Sequence, residues 1–150
     1  MNELLTALPE ELFTLLQKEA FVLLGTIDSE TNGPASNAIS WLYAEDKGKL
    51  RFAVDHRSRL INNMKQQSQV TVTCFGAGSV YTIYGKAALV TESLTDVPFQ
   101  LSCFEITIDT VRDAMFYGAR ISTAPEYEKT YDKRAAEKLD NQVFASMKKA

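Results

Sequence analysis

The sequence predicts a mainly β chain of the α+β class: a six-stranded antiparallel barrel with a helix at each terminus and one between strands three and four. Three observations carry this. Short runs of β-branched and aromatic residues recur, separated by turn signals of which Asn32-Gly33-Pro34 is the strongest. Period-2 alternation is plain at Val70, Val72 and Cys74. Apolar residues at helical spacing are confined to the two ends and to one internal segment around Leu60, Ile61 and Met64. A flat sheet of six strands would leave exposed edges, and rolling it into a closed or nearly closed barrel removes them.

The elements follow in order. Residues 4–18 read as a helix, with Pro9, Glu10 and Glu11 suited to a first turn and Leu12, Leu15 and Leu16 as its apolar face. Strand one is 21–27, stopped by Asp28-Ser29, and strand two is 35–44. Glu45-Asp46-Lys47-Gly48 turns the chain into strand three, 49–54. Ser58 is the N-cap of the internal helix. Strands four, five and six are 69–75, 79–90 and 101–115, with Gly85 marking a bulge or a close backbone approach in the fifth. Residues 123–131 are irregular. The last helix is 132–149, with Ala135, Leu139, Val143 and Met147 as its stripe. The chain reads as one domain over 1–150.

Composition narrows the function. Sixteen Lys and Arg against nineteen Asp and Glu leave a net charge of −3, which argues against a nucleic-acid coat. Two cysteines, Cys74 and Cys103, sit in apolar runs and read as reduced core thiols. With His56 as the one histidine, no metal site is expected. No stretch approaches the ~20 apolar residues of a membrane span, and Glu3 stands where a leader would be basic, so the expected location is cytoplasmic.

Chemistry concentrates where strand three hands over to the internal helix. Val54, Asp55, His56, Arg57, Ser58 and Arg59 put two guanidinium groups and a hydroxyl beside a helix N-terminus, whose free N–H groups and dipole favour a phosphate. The plainer alternative is a solvated basic turn with Ser58 as an ordinary cap. His56 reads as an exposed turn residue, with a proton donor near a bound ligand as the other option.

These residues, in this order, resemble the pyridoxamine 5′-phosphate oxidase-like, FMN-binding split-barrel family. The likeness runs over about 15–92 and includes Asn32-Gly33-Pro34, Trp41-Leu42-Tyr43, Leu50-Arg51-Phe52-Ala53-Val54, Ser58-Arg59, Val70-Thr71-Val72 and Tyr84-Gly85-Lys86-Ala87. It implies a split barrel, FMN as cofactor, and a homodimer with the flavin in the groove between subunits. It implies that Val54, Ser58 and Arg59 hold the phosphate and ribityl chain. Leu60 stands where the family often has Lys, and Arg57 is the candidate replacement. Asn37 and Ser40 match the segment along the flavin ring edge, whose alternating donors and acceptors need small polar groups. Trp41 reads as core or dimer packing. Tyr81, Thr82 and Tyr84 lie on the strand that reaches the groove, and sequence parity leaves open which tyrosine faces inward.

The implied function is an FMN-binding flavoprotein, a small-molecule oxidoreductase with no catalytic residue assigned. The alternative is a non-enzymatic flavin- or haem-binding module on the same barrel, for which the resemblance makes His56 a candidate haem ligand. Pyridoxine phosphate oxidation itself is not expected, because the chain lacks the family enzyme's C-terminal Trp- and Arg-containing segment; its one tryptophan is Trp41. Phe116-Tyr117-Gly118, Tyr127 and Tyr131 are candidates to wall a pocket, with packing against the last helix as the alternative. A small molecule is the expected partner, without nucleic acid or membrane.

Overall fold

A computed structural model describes residues 4–150; Glu3, which bears on the expected location, lies with Met1 and Asn2 outside the described residues. The elements are β1 (Leu4–Leu5), α1 (Glu10–Leu15), β2 (Val22–Ile27), β3 (Pro34–Ile39), β4 (Leu42–Asp46), β5 (Lys49–Asp55), α2 (Arg59–Gln66), β6 (Gln69–Gly76), β7 (Ser79–Thr91), β8 (Leu101–Asp113) and α3 (Lys133–Lys149). One antiparallel sheet runs in the order β3-β2-β6-β7-β8-β5-β4, with β1 added against β8.

The ladder's two outermost strands, β3 and β4, are consecutive in the chain and joined only by Ser40 and Trp41. Three peptide steps from Ile39 to Leu42 span at most about 11 Å, so the sheet is rolled until its ends nearly meet. They do not pair. The barrel is therefore split along a seam rather than closed, and the expected single strand over 35–44 is two strands. The cause is pairing: Ile39 sits opposite Val22 of β2, whereas Leu42 sits opposite Phe52 of β5, at the other end of the ladder.

The expected helix over 4–18 is also shorter. Pro9, at φ −66° and ψ 156°, is extended and serves as the N-cap of the six-residue α1. Upstream of it, Leu4 and Leu5 pair with Arg112 and Val111 instead of coiling. This short strand and the break at the seam turn the six expected strands into eight.

Two cores lie on opposite faces of β5. Leu50, Phe52 and Val54 point into the barrel with Leu12, Leu16, Leu24, Val72, Ile83, Phe104 and Ile106. Ala53 faces the other way and joins Tyr43, Leu101, Cys103, Val143 and Met147 under α3. Arg51, on that outer face, donates from Nη1 to the carbonyls of Met147 at 2.9 Å and Ala150 at 2.6 Å, and from Nε to Glu105 at 3.1 Å. These bonds put a positive charge on the C-terminal end of α3, where the helix dipole favours it. The stripe of α3 holds at Leu139, Val143 and Met147 and differs at its first position, where Ala136 is buried and Ala135 is exposed.

Gly85 meets both of its expected roles. The β7–β8 register shifts between Tyr84 and Gly85, and a Cβ at Gly85 would strike the backbone carbonyl of Thr107. Tyr81 packs against the barrel core, and Tyr84 is exposed. Both cysteines are buried thiols; burial pushes Cys74 up to about 12 and Cys103 to about 11, so neither forms thiolate at neutral pH.

Asp113 closes β8 by accepting from Ser79 Oγ at 2.6 Å and from the Met115 N–H at 3.0 Å. The Ser79 bond and then the backbone bond hold its carboxyl below the usual carboxylate range. A lowered native pKa adds stability above the unfolded value of about 3.9, and that contribution is lost as pH falls through the native value. Ser79→Ala should therefore lower the midpoint of urea unfolding at neutral pH. The gap from the parent should narrow as the titration is repeated from about pH 4 downward. A gap independent of pH would show that the bond does not act through the Asp113 charge.

Candidate site at the barrel seam

The seam opens into a cavity of about 580 Å³ lined by Phe21, Asn37, Ala38, Ile39, Ser40 and Trp41 on one side and by Ala53, Val54, Asp55, Ser58 and Leu60 on the other. Tyr127, Lys129 and Tyr131 of the connection between β8 and α3 complete the wall. The fold builds this place for simple reasons. Among the described residues β3 has a neighbour only in β2, so its outer edge presents backbone donors and acceptors that no described strand covers. Ser58, at φ −63° and ψ 135°, caps α2, and its Oγ accepts from the Leu60 N–H at 3.2 Å. The positive end of α2 thus faces the same opening as the β3 edge.

Of the expected binding residues, the structure brings Asn37, Ser40, Val54 and Ser58 together around this cavity. Arg57, Arg59 and Thr82 do not line it. Arg57 turns back on Asp55, with Nε 3.2 Å from Oδ1, while the Arg57 N–H donates to the same oxygen at 2.8 Å. Those bonds, with the side-chain pair first, hold Asp55 below its ordinary pKa. Arg59 reaches across to Asp28 Oδ2 in the β2–β3 turn. The other Asp28 oxygen accepts from the N–H groups of Glu30 at 2.8 Å and Thr31 at 3.1 Å. These backbone bonds, with Arg59 after them, lower the Asp28 pKa. Thr82 sits in mid-β7, opposite Thr73 and Arg112. Leu60 is buried in the barrel core. His56 is exposed, with Nδ1 3.1 Å from the Gln100 carbonyl oxygen.

A polar network that sequence reading did not assemble closes the far wall. Glu19 accepts from the Tyr127 hydroxyl at 2.6 Å and from Lys129 Nζ at 3.1 Å, and more distantly from Ser40 Oγ at 3.4 Å. Lys129 also lies 3.2 Å from Asp140 Oδ2, and the Trp41 indole N–H donates to Asp140 Oδ1 at 2.8 Å. Burial works against the Lys129 charge, but the bonds to Glu19 and Asp140 outweigh it and push its pKa upward. Burial, reinforced by Glu19, also raises the Tyr127 hydroxyl. Three of its links, Trp41–Asp140, Tyr127–Glu19 and Lys129–Glu19, span about a hundred positions; the sequence alone marks Ser40 at the ring edge, Tyr127 as pocket wall and Trp41 as packing, and leaves Glu19, Lys129 and Asp140 unmarked.

A second cavity of about 670 Å³ lies elsewhere on the barrel, among Gly25, Pro34, Ser36, Thr71, Tyr84, Gly85 and Asp109. Among the described residues no group of three His, Cys, Asp or Glu is placed to hold a metal ion, and no helix is long and apolar enough to cross a membrane.

A rolled antiparallel sheet left open along one seam, with a helix N-terminus facing the gap, defines a split-barrel protein. Residues 8–113 match the family model for pyridoxamine 5′-phosphate oxidase, and the chain belongs to that family. No curated protein matches it. Among solved structures it is similar to HupZ of Group A Streptococcus, at 12% identity and TM-score 0.61, covering 77% of this chain and 99% of that one. It is similar to an F420 reductase at 17% identity and TM-score 0.58, covering 69% and 98%. General Stress Protein 26 of Bacillus anthracis matches at 14% identity and TM-score 0.55, covering 69% and 91%. At these identities the likeness is one of fold.

Proposed function

We propose that the chain is an FMN-binding flavoprotein, a small-molecule oxidoreductase that works as a homodimer with the flavin at the seam. The observation that supports this reading best is the meeting of Asn37, Ser40, Val54 and Ser58 around one cavity at the N-terminus of α2. Their chemistry fits the cofactor's two ends. The α2 terminus and Ser58 suit the phosphate, and Arg59 and Arg57 would supply positive charge by leaving Asp28 and Asp55. The uncovered β3 edge, with Asn37 and Ser40, suits the donor–acceptor alternation of the flavin's pyrimidine ring. Thr82 would act from the groove formed by a second copy. FMN, when bound, supplies the electron transfer, and the protein's part is to bind and orient it and to keep water from the ring.

Visible spectroscopy of the purified protein, with and without added FMN, tests the proposal. The yellow absorption of oxidised flavin and a rise in Tm on adding FMN are expected, followed by bleaching with NADH or NADPH. A protein that stays colourless and shows no thermal shift overturns it. The engagement of both arginines with Asp55 and Asp28, and the burial of Leu60 at the family's lysine position, favour a second reading. That reading is a flavin- or haem-binding module without turnover, and it predicts ligand absorption that neither reduced nicotinamide cofactor bleaches.

A further inference from the structure

The connection over 114–132 crosses the seam cavity with little backbone support. Its first half is tied by the Ala114 N–H to Val80 at 2.6 Å and by the Ile121 N–H to Gly78 at 2.9 Å. Beyond Ile121 it is held by side chains. The Tyr127 hydroxyl and Lys129 grip Glu19 at the end of the α1 region, Lys129 also grips Asp140 of α3, and the Tyr127 ring packs on Phe21 at 6.0 Å. On the other side of this strap lies another cavity, of about 610 Å³, between Lys18, Glu19 and α3. The two cavities share only Tyr127 and Lys129 as lining. Lys129, between its two carboxylates, and Tyr127, on Glu19 and Phe21, therefore hold a partition between two spaces.

We propose that the 122–131 strap is a gate. Lys129, clasped between Glu19 and Asp140, keeps Tyr127 and Tyr131 across the seam cavity, and letting go joins the two cavities into one cleft through which the ligand enters and leaves. Lys129 suits this role because it is a single charge answering two carboxylates, all three mostly screened from water, with side-chain exposures of 24%, 20% and 16%. Neutralising either acid weakens the clasp and leaves both cores in place. Glu19, Lys129 and Asp140 are then positioning residues, acting on the ligand through Tyr127 and Tyr131. The ligand's identity as FMN rests on the preceding proposal, and the gate itself does not.

Two isosteric variants test it, Glu19→Gln and Asp140→Asn, each checked for folding by circular dichroism. Trypsin is added to the ligand-free protein, and cleavage after Lys129 is followed by mass spectrometry against cleavage after the exposed Arg120. In the parent, cleavage after Lys129 should lag well behind. In both variants it should rise about five- to tenfold, the scale of weakening a charge-assisted bond to an ordinary one, since the amide oxygen still accepts, acting on a local opening. FMN release, followed by stopped-flow flavin fluorescence, should quicken in the same order. Equal cleavage at Lys129 and Arg120 in the parent overturns the gate, as does unchanged FMN release in a variant whose Lys129 cleavage has risen. Should the parent take up no FMN, the flavin assignment fails. The ligand-free protease arm then decides the clasp alone: a protected Lys129 that both variants expose supports it, and any other pattern rejects it.

Discussion

Phe104→Ala should destabilise the chain by about 3–5 kcal/mol, the usual cost of emptying a fully packed aromatic site. Phe104 and Phe52 are directly opposite each other on β8 and β5, with ring centroids 5.7 Å apart and planes 16° from parallel. Both are essentially without solvent contact. Removing one ring discards its own transfer free energy and leaves a hole that neighbours fixed by strand pairing on both sides of β8 cannot fill. Urea unfolding followed by circular dichroism reads the loss directly. Phe104→Leu should cost far less, because it keeps most of the volume. An alanine variant within about 1 kcal/mol of the parent would mean that the barrel relaxes to fill the space, contrary to the tight packing described.

Arg59→Ala should weaken FMN about ten- to a hundredfold, the scale of one charge-assisted hydrogen bond to phosphate, and should leave riboflavin binding nearly unchanged. The contrast between the two ligands matters because they differ only in the phosphate. In the ligand-free chain Arg59 is spent on Asp28, and a phosphate at the α2 terminus must compete for it. Asp28→Asn removes that competitor, and its oxygen can still accept from Glu30 and Thr31. FMN affinity should therefore rise in Asp28→Asn and fall in Arg59→Ala. Isothermal titration with both ligands checks the pair. Equal losses for FMN and riboflavin in Arg59→Ala would place the arginine's effect on the fold of the corner rather than on the phosphate.

Much of the architecture was legible because it is written locally. The alternation of Val70, Val72 and Cys74, the turn at Asn32 with its positive φ of 62°, the Ser58 cap and the shift at Gly85 all depend on residues within a few positions. The family resemblance drew on the same signals, and the family model's match over residues 8–113 agrees with it. The errors fell where distant partners decide. Leu4 and Leu5 have helical company in sequence but find β8, and the run across Ser40 and Trp41 looks continuous until its two halves choose different neighbours. Side-chain charge was the least legible. Its place in the turn suits Arg59 to a phosphate, yet its carboxylate partner lies 31 positions back, and Lys129 meets Glu19 110 positions away. Pairing at that range is settled by tertiary packing, which leaves no local pattern to read.

The two-residue hinge of Ser40 and Trp41 is the one covalent bridge between the two ends of the strand ladder. A small molecule lodged beside it touches β3 at one terminus of the hydrogen-bonded series and β5, next to the other, so it works as a non-covalent staple across the roll. Amide exchange in β3 and β4 should then slow in concert on loading, although no hydrogen bond connects those strands.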